Sequence, residues 1–232
     1  MSGIWDARAT LTAAVLGLGV HALSASPASA TLWTDWTSAT SGAPGSAVGT
    51  LDGITVTYSG ELISPPTTTD GSFAGWRPEG SFVGGAVTSS PATVGDIIGL
   101  AGSYTGINTV TFSLPVVDLV MAIWSLGSPS VLVSFDFSNA TPTFVVGGPN
   151  VDFGGQAITV VGNTVSGREG NGVVQFMGSI SSISWTDTPE LWYGFTIGST
   201  ALAPEQLPEP SSLAFLGVAI GLCLFGRGRQ SA

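Results

Sequence analysis

Val131-Leu132-Val133-Ser134-Phe135-Asp136-Phe137 is the clearest period-two stretch in the chain, with Val131, Val133, Phe135 and Phe137 on one side. Alternate side chains of a strand point to opposite faces, so this run predicts a strand with one buried and one wet face. Upstream, Val116 to Ser125 is almost continuously apolar, as expected of a strand buried on both faces. Before it, Val110, Phe112 and Leu114 alternate with Thr and Ser until Pro115, and Ile54, Val56 and Tyr58 alternate after an Asp52-Gly53 turn. Downstream, Thr143–Val146, Ala157–Val161, Val173–Phe176, Ile180 to Trp185 and Trp192–Ile197 supply further short runs. No capped apolar stripe of helical period interrupts them. About ten short strands between Gly, Pro, Asn and Asp turns predict an all-β fold, an antiparallel β-sandwich or jelly roll. Thr37–Val48 and Ser64–Gly71 read as long surface loops.

The chain has 232 residues, a formal charge of −10, 33 Gly and 14 Pro, and only 9% charged residues. It has one Cys, Cys223, so no disulfide can form within it, and one His, His21; its basic residues are all Arg. An acidic chain without clustered Lys or Arg is unsuited to nucleic acid.

Both ends read as addresses. Residues 1–30 have the plan of a secretory signal peptide: Arg8, an apolar run from Leu11 to Leu23, then Ala28-Ser29-Ala30. Small residues at Ala28 and Ala30 place cleavage by signal peptidase before Thr31. At the other end, residues 204–212 carry Pro208-Glu209-Pro210, residues 213–226 form a short apolar segment, and residues 227–232 contain Arg227 and Arg229. The apolar segment is shorter than the ~20 residues of a comfortable membrane span, and the arginines favour a cytoplasmic end.

This order of Pro-Glu-Pro, short transmembrane helix and basic tail resembles the PEP-CTERM sorting signal of Gram-negative bacteria. A second block runs from Gly167-Arg168-Glu169-Gly170-Asn171-Gly172 through Ile183-Ser184-Trp185-Thr186 to Trp192-Tyr193-Gly194-Phe195-Thr196, and it too is similar to segments of PEP-CTERM proteins. The resemblance implies an exosortase substrate: transiently anchored in the inner membrane, processed, then delivered to the cell surface or an extracellular polysaccharide matrix. It implies no catalytic residues.

Between the addresses, residues 31–203 form the expected β-sandwich domain. They hold twelve Asp and Glu against Arg77 and Arg168 alone, so the whole −10 belongs to this segment. Without His, Cys or Lys there, neither a Ser-His-Asp arrangement nor a His/Cys zinc site can be built. Carboxylates, aromatic faces and hydroxyls remain. Glycan cleavage needs two carboxyl groups, and Glu169 and Glu190 are the candidates. Arg168 would lower the pKa of Glu169 if the two met. The competing reading makes the glycine-rich segment a tight hairpin with Asn171-Gly172 at its tip. Trp33, Trp36 and Trp76 stand among polar or turn residues and are candidates for stacking on sugars, whereas Trp124 and Trp185 read as core.

No residues are assigned to catalysis or to a metal, and no cofactor is expected. A structural calcium on scattered Asp remains open, because no Asp-rich loop marks it. The sequence therefore favours a non-enzymatic cell-surface or matrix protein, a structural or polysaccharide-binding module. The alternatives are a carboxylate-dependent glycan-cleaving enzyme and a calcium-dependent adhesive module.

Overall fold

In the computed structural model the described residues are 30–64, 67–69, 75–92 and 95–201. The hydrophobic segments predicted as signal peptide and membrane helix, the Pro-Glu-Pro motif, Ala28, Arg227 and Arg229 lie outside them. No helix among the described residues is long and apolar enough to cross a membrane.

Among the described residues, thirteen strands make up a mostly antiparallel all-β fold. The first four are β1 (Leu32–Trp33), β2 (Asp35–Thr40), β3 (Gly42–Leu51) and β4 (Ile54–Leu62). After a 3-10 turn at Glu79–Ser81 come β5 (Ile98–Leu100), β6 (Asn108–Leu126), β7 (Val133–Phe137) and β8 (Thr143–Gly147). The last five are β9 (Gln156–Ala157), β10 (Thr159–Val161), β11 (Thr164–Gly167), β12 (Gly170–Asp187) and β13 (Tyr193–Ser199).

Two long strands, β6 and β12, pair with each other along most of their length and hold the rest together. Their outer halves, Asn108–Thr111 and Ser182–Trp185, sit in the row β2-β3-β4-β6-β12-β7-β11-β10. Their other halves, Leu119–Leu126 and Gly170–Phe176, join β13 on one side and β8 on the other. Between the halves the ladder slips twice. From the pair Ile180↔Val116 to Ser182↔Thr111, β6 spends five residues where β12 spends two. Pro115 lies in this excess, where its missing N–H interrupts no ladder bond. This explains why one strand continues through a proline that was expected to end it.

Side chains from the two halves meet in one core. Tyr58 packs on Phe195 at 5.4 Å, Phe135 on Tyr193 at 5.4 Å and Trp185 on Phe195 at 5.2 Å. Such edge-to-face contacts across facing strands give the fold its sandwich-like character. Val120, Ala122, Trp124 and Val173 point the other way, into a second cluster closed by Trp76, Phe82, Val87 and Ile97 from the long connection between β4 and β5. That outer cover is why Val116–Ser125 lacks alternation: both faces of its second half are buried.

Thr37–Val48, expected as a surface loop, is instead most of the β2–β3 hairpin. Its small residues carry almost no apolar alternation, and β2 presents a single buried side chain, Trp36, to the core. The period-two run also begins later than expected: Val131 is exposed and pairs only with Ser128, while β7 starts at Val133.

Candidate functional site

The passage from β11 to β12 is a sharp corner at Arg168-Glu169, not a hairpin tip at Asn171-Gly172. Glu169 takes a left-handed backbone, φ 53°. The flanking glycines come so close that a Cβ on Gly167 would lie 2.7 Å from the Gly170 Cα. Asn171, expected at the tip, is fully buried and organises the surroundings. Its Oδ1 accepts the Ser125 N–H at 2.8 Å and the Asn150 amide at 2.9 Å, and its Nδ2 donates to Glu169 O at 2.7 Å. Asn150 Oδ1 in turn accepts the N–H groups of Asp152 at 2.8 Å and Phe153 at 2.6 Å. Two buried amides thus fix the loop that presents Phe153 beside the Glu169 corner.

Three rings meet there. Phe153 and Trp192 are 5.3 Å apart, and Trp124 lies beneath them at 5.7 Å and 5.0 Å respectively. Trp124 is buried, Trp192 is half-buried, and Phe153 keeps 47% of its surface exposed. Glu190 enters from the β12–β13 connection: its N–H donates to Ala101 O at 2.8 Å, and its Oε2 accepts the Trp192 N–H at 3.0 Å. Glu169 receives the Ser125 hydroxyl on Oε2. Ser125 also has a left-handed backbone, φ 58°, so two non-glycine residues in a sparsely populated region contact each other at this point.

Glu169, Glu190, Ser125, Phe153, Leu191 and Trp192 border one recess of about 130 Å³. Phe153 and Glu169 also border an adjoining open cleft of about 540 Å³, which continues past Arg168, Gln156 and Thr159 to Leu132. The two candidate carboxylates are therefore brought together, 21 positions apart in sequence. Burial lifts the Glu169 carboxyl above the usual carboxylate range; the Ser125 hydroxyl pulls it back, and the charge of Glu190 lifts it again. Arg168 does not have the expected effect. It is exposed, and the ion pair found among the described residues is Arg77–Asp152, at 3.6 Å.

The tryptophans expected at the surface are placed differently. Trp36 is 0% exposed and donates its indole N–H to Thr196 Oγ1 at 3.1 Å; Trp76 is 1% exposed and packs edge-on against Phe82 at 5.3 Å. Neither can offer a face to a sugar. Trp33 is half-buried on the outer cluster and donates to Ser89 O at 2.9 Å. Of the expected cleavage residues, Ala30 is exposed, while Thr31 is buried and exchanges two 2.9 Å hydrogen bonds with Thr88. The aromatic faces overlooked in the sequence are Phe153 and Trp192. Trp192 stands two residues after the candidate acid Glu190, a signal the sequence did carry, whereas Phe153, in Val151-Asp152-Phe153-Gly154, had none beyond its turn-rich context.

A second pair of acids lies elsewhere. Glu61, 2% exposed at the end of β4, accepts the N–H groups of Ala101 at 2.8 Å, Gly102 at 2.5 Å and Ser103 at 3.2 Å, and the Ser103 hydroxyl. A Cβ on Gly102 would come within 2.2 Å of Thr188 O, so only glycine closes this nest. Asp187 stands nearby with both oxygens enclosed, facing Tyr193 and Asn108. Its carboxyl is pushed up to about 6, first by burial; Tyr193 and Asn108 oppose the shift, and the charge of Glu61 adds to it. Among the described residues, no three Asp, Glu, His or Cys side chains are grouped to hold a metal ion.

An acidic recess with an aromatic wall, on an antiparallel β scaffold, is the class of site the geometry defines. No protein-family model, no curated protein and no solved structure matches the chain.

Proposed function

We propose that the chain is an exported cell-surface or extracellular-matrix protein of the PEP-CTERM and exosortase type, whose β-sandwich domain binds polysaccharide at the Phe153–Trp192 recess without cleaving it. The observation that carries the binding part is the ring pair itself. Aromatic faces left partly open beside carboxylates are how proteins hold the apolar faces and hydroxyl rims of sugars, and the adjoining cleft leaves room for a chain longer than one ring. The export part rests on the two terminal signals. Signal peptidase and exosortase are its processing partners, and the inner membrane is its transient anchor.

A glycan-array screen of the full-length chain in mild detergent tests the binding reading. Retention of a polysaccharide that is lost on Trp192→Ala and Phe153→Ala supports it; no retention by folded protein overturns it. Mass spectrometry of the exported protein tests the sorting. Its first residue should be Thr31 and its terminal arginines should be absent, whereas an intact C-terminus would refute processing.

One observation favours a second reading. Two carboxyl groups border the recess, and the raised Glu169 would suit a proton donor, with Glu190 as base or nucleophile. Against this, Glu190 spends one oxygen on the Trp192 N–H and Glu169 spends one on Ser125. Release of reducing ends from a bound glycan, abolished by Glu169→Gln, would establish cleavage in place of simple binding.

A further inference from the structure

The recess has a polarity that the polysaccharide reading leaves unused. Glu169 and Glu190 both border it, and neither Arg77 nor Arg168 does. Arg168 opens onto the adjoining cleft, and Arg77 pairs with Asp152. Ser125 directs its hydroxyl to Glu169, so it offers the recess no free proton. The charged groups facing a ligand there are both carboxylates, with the neutral Ser128 hydroxyl beside them, set against the rings of Phe153 and Trp192. Both features attract cations: a carboxylate takes an ammonium in a charge-assisted hydrogen bond, and an aromatic face adds cation–π attraction.

From this we infer that the recess takes an amino sugar with a free, protonated amine, as in polymers of glucosamine whose nitrogen is not acetylated, in preference to neutral or uronic-acid glycans. A ring carrying an ammonium group places its apolar face on Phe153 and Trp192 and its charge between Glu169 and Glu190. Uronic-acid polymers meet the opposite: two carboxylates at the site and an exported segment with twelve acids against two arginines. A lysine side chain also carries an ammonium, but it lacks the ring and the hydroxyls that match the polar wall of the adjoining cleft at Gln156, Thr159 and Ser166. Burial first, and the Glu190 charge after it, lift the Glu169 carboxyl, and an ammonium entering between the two acids pulls it back down.

This inference rests on the polysaccharide-binding reading, and the test separates them. Calorimetry on the full-length chain compares glucosamine oligomers with N-acetylglucosamine, glucose and galacturonate oligomers of equal length at pH 6, with oligolysine alongside. The expected result is about ten-fold tighter binding of the glucosamine oligomer than of its acetylated form. Glu190→Gln should shrink that preference to about two-fold, whereas Asp35→Asn, on the β2 edge, should leave it intact. Equal or tighter binding of acetylated, neutral or uronic oligomers overturns the amino-sugar inference and leaves polysaccharide binding standing. Equal binding of oligolysine, or an equal effect of Asp35→Asn, also overturns it, by showing a peptide site or diffuse charge. Failure of every oligosaccharide to bind removes both readings.

Discussion

Glu61 with Asp187, and Glu169 with Glu190, are two pairs of acids on one scaffold that have been treated in opposite ways. Around Glu61 the backbone between β5 and β6 folds into a nest of three N–H groups and a hydroxyl, so its charge is matched inside the protein. At the recess, each carboxylate of Glu169 and Glu190 keeps one local partner and otherwise faces open space beside two rings. A buried carboxylate must be satisfied from within or it destabilises the fold; one at a rim can wait for a ligand. The difference separates an acid that holds the fold from an acid that serves a surface. Asp187 stands between the cases, half-buried with its oxygens enclosed but no nest of N–H groups around them.

The largest effect expected from breaking this contrast is at Glu61. Replacing it with Ala strands its donors and should cost about 3 kcal/mol or more in urea unfolding. A loss below about 1 kcal/mol would show that the nest does not need its carboxylate.

The next effect is pH-dependent. An unfolded aspartate titrates near 3.9, and folded Asp187 titrates at about 6. The folded chain therefore holds an extra proton between those values, so the contribution of this group to stability falls as pH rises through that window. The change is on the order of 3 kcal/mol, and Asp187→Asn should flatten it. An unchanged pH slope in the variant would assign the effect to other groups, Glu169 among them, since its shift has the same sign.

Trp192→Ala should weaken glycan binding about ten-fold while moving the unfolding midpoint little, because the ring is half-buried at a rim. A large stability loss with unchanged binding would make Trp192 a core residue. The smallest effect belongs to Ser125→Gly. Glycine accepts the φ of 58° without strain but loses the hydroxyl, so the two changes should offset to within about 1 kcal/mol. NMR titration should then find the Glu169 carboxyl higher still.

Strand signals were legible where burial follows the pleat. Ile54, Val56 and Tyr58 alternate because one face of β4 meets the core, and the unbroken run to Ser125 reports a strand covered on both sides. The β2–β3 hairpin was not legible, because Ser, Thr, Gly and Ala at an edge carry no apolar contrast. Trp36 and Trp76 have polar sequence neighbours yet are buried, since their cover comes from strands and loops distant in the chain. Glu169 and Glu190 could be nominated from their contexts, but their meeting depends on β12 and β13 both beginning beside the same end of β6, at Leu126 and Trp124. No local pattern encodes that. The role of Asn171 was hidden because an Asn-Gly pair signals a turn, and only the tight approach of Gly167 and Gly170 moves the corner upstream.

The strand β13 has a mechanical consequence. Its first residue follows Trp192 at the recess, and its last, Ser199, leads toward the C-terminal segment. A pull between the recess and the chain beyond Ser199 would run along this one strand. On one side β13 is bonded to β6 from Gly194 to Ser199, and on the other to β5 and β1. Those ladder bonds lie across the line of force, so they are loaded together in shear, not opened one at a time. A load applied between the recess and the far end of β13 would thereby be carried by a strand clamped along both edges.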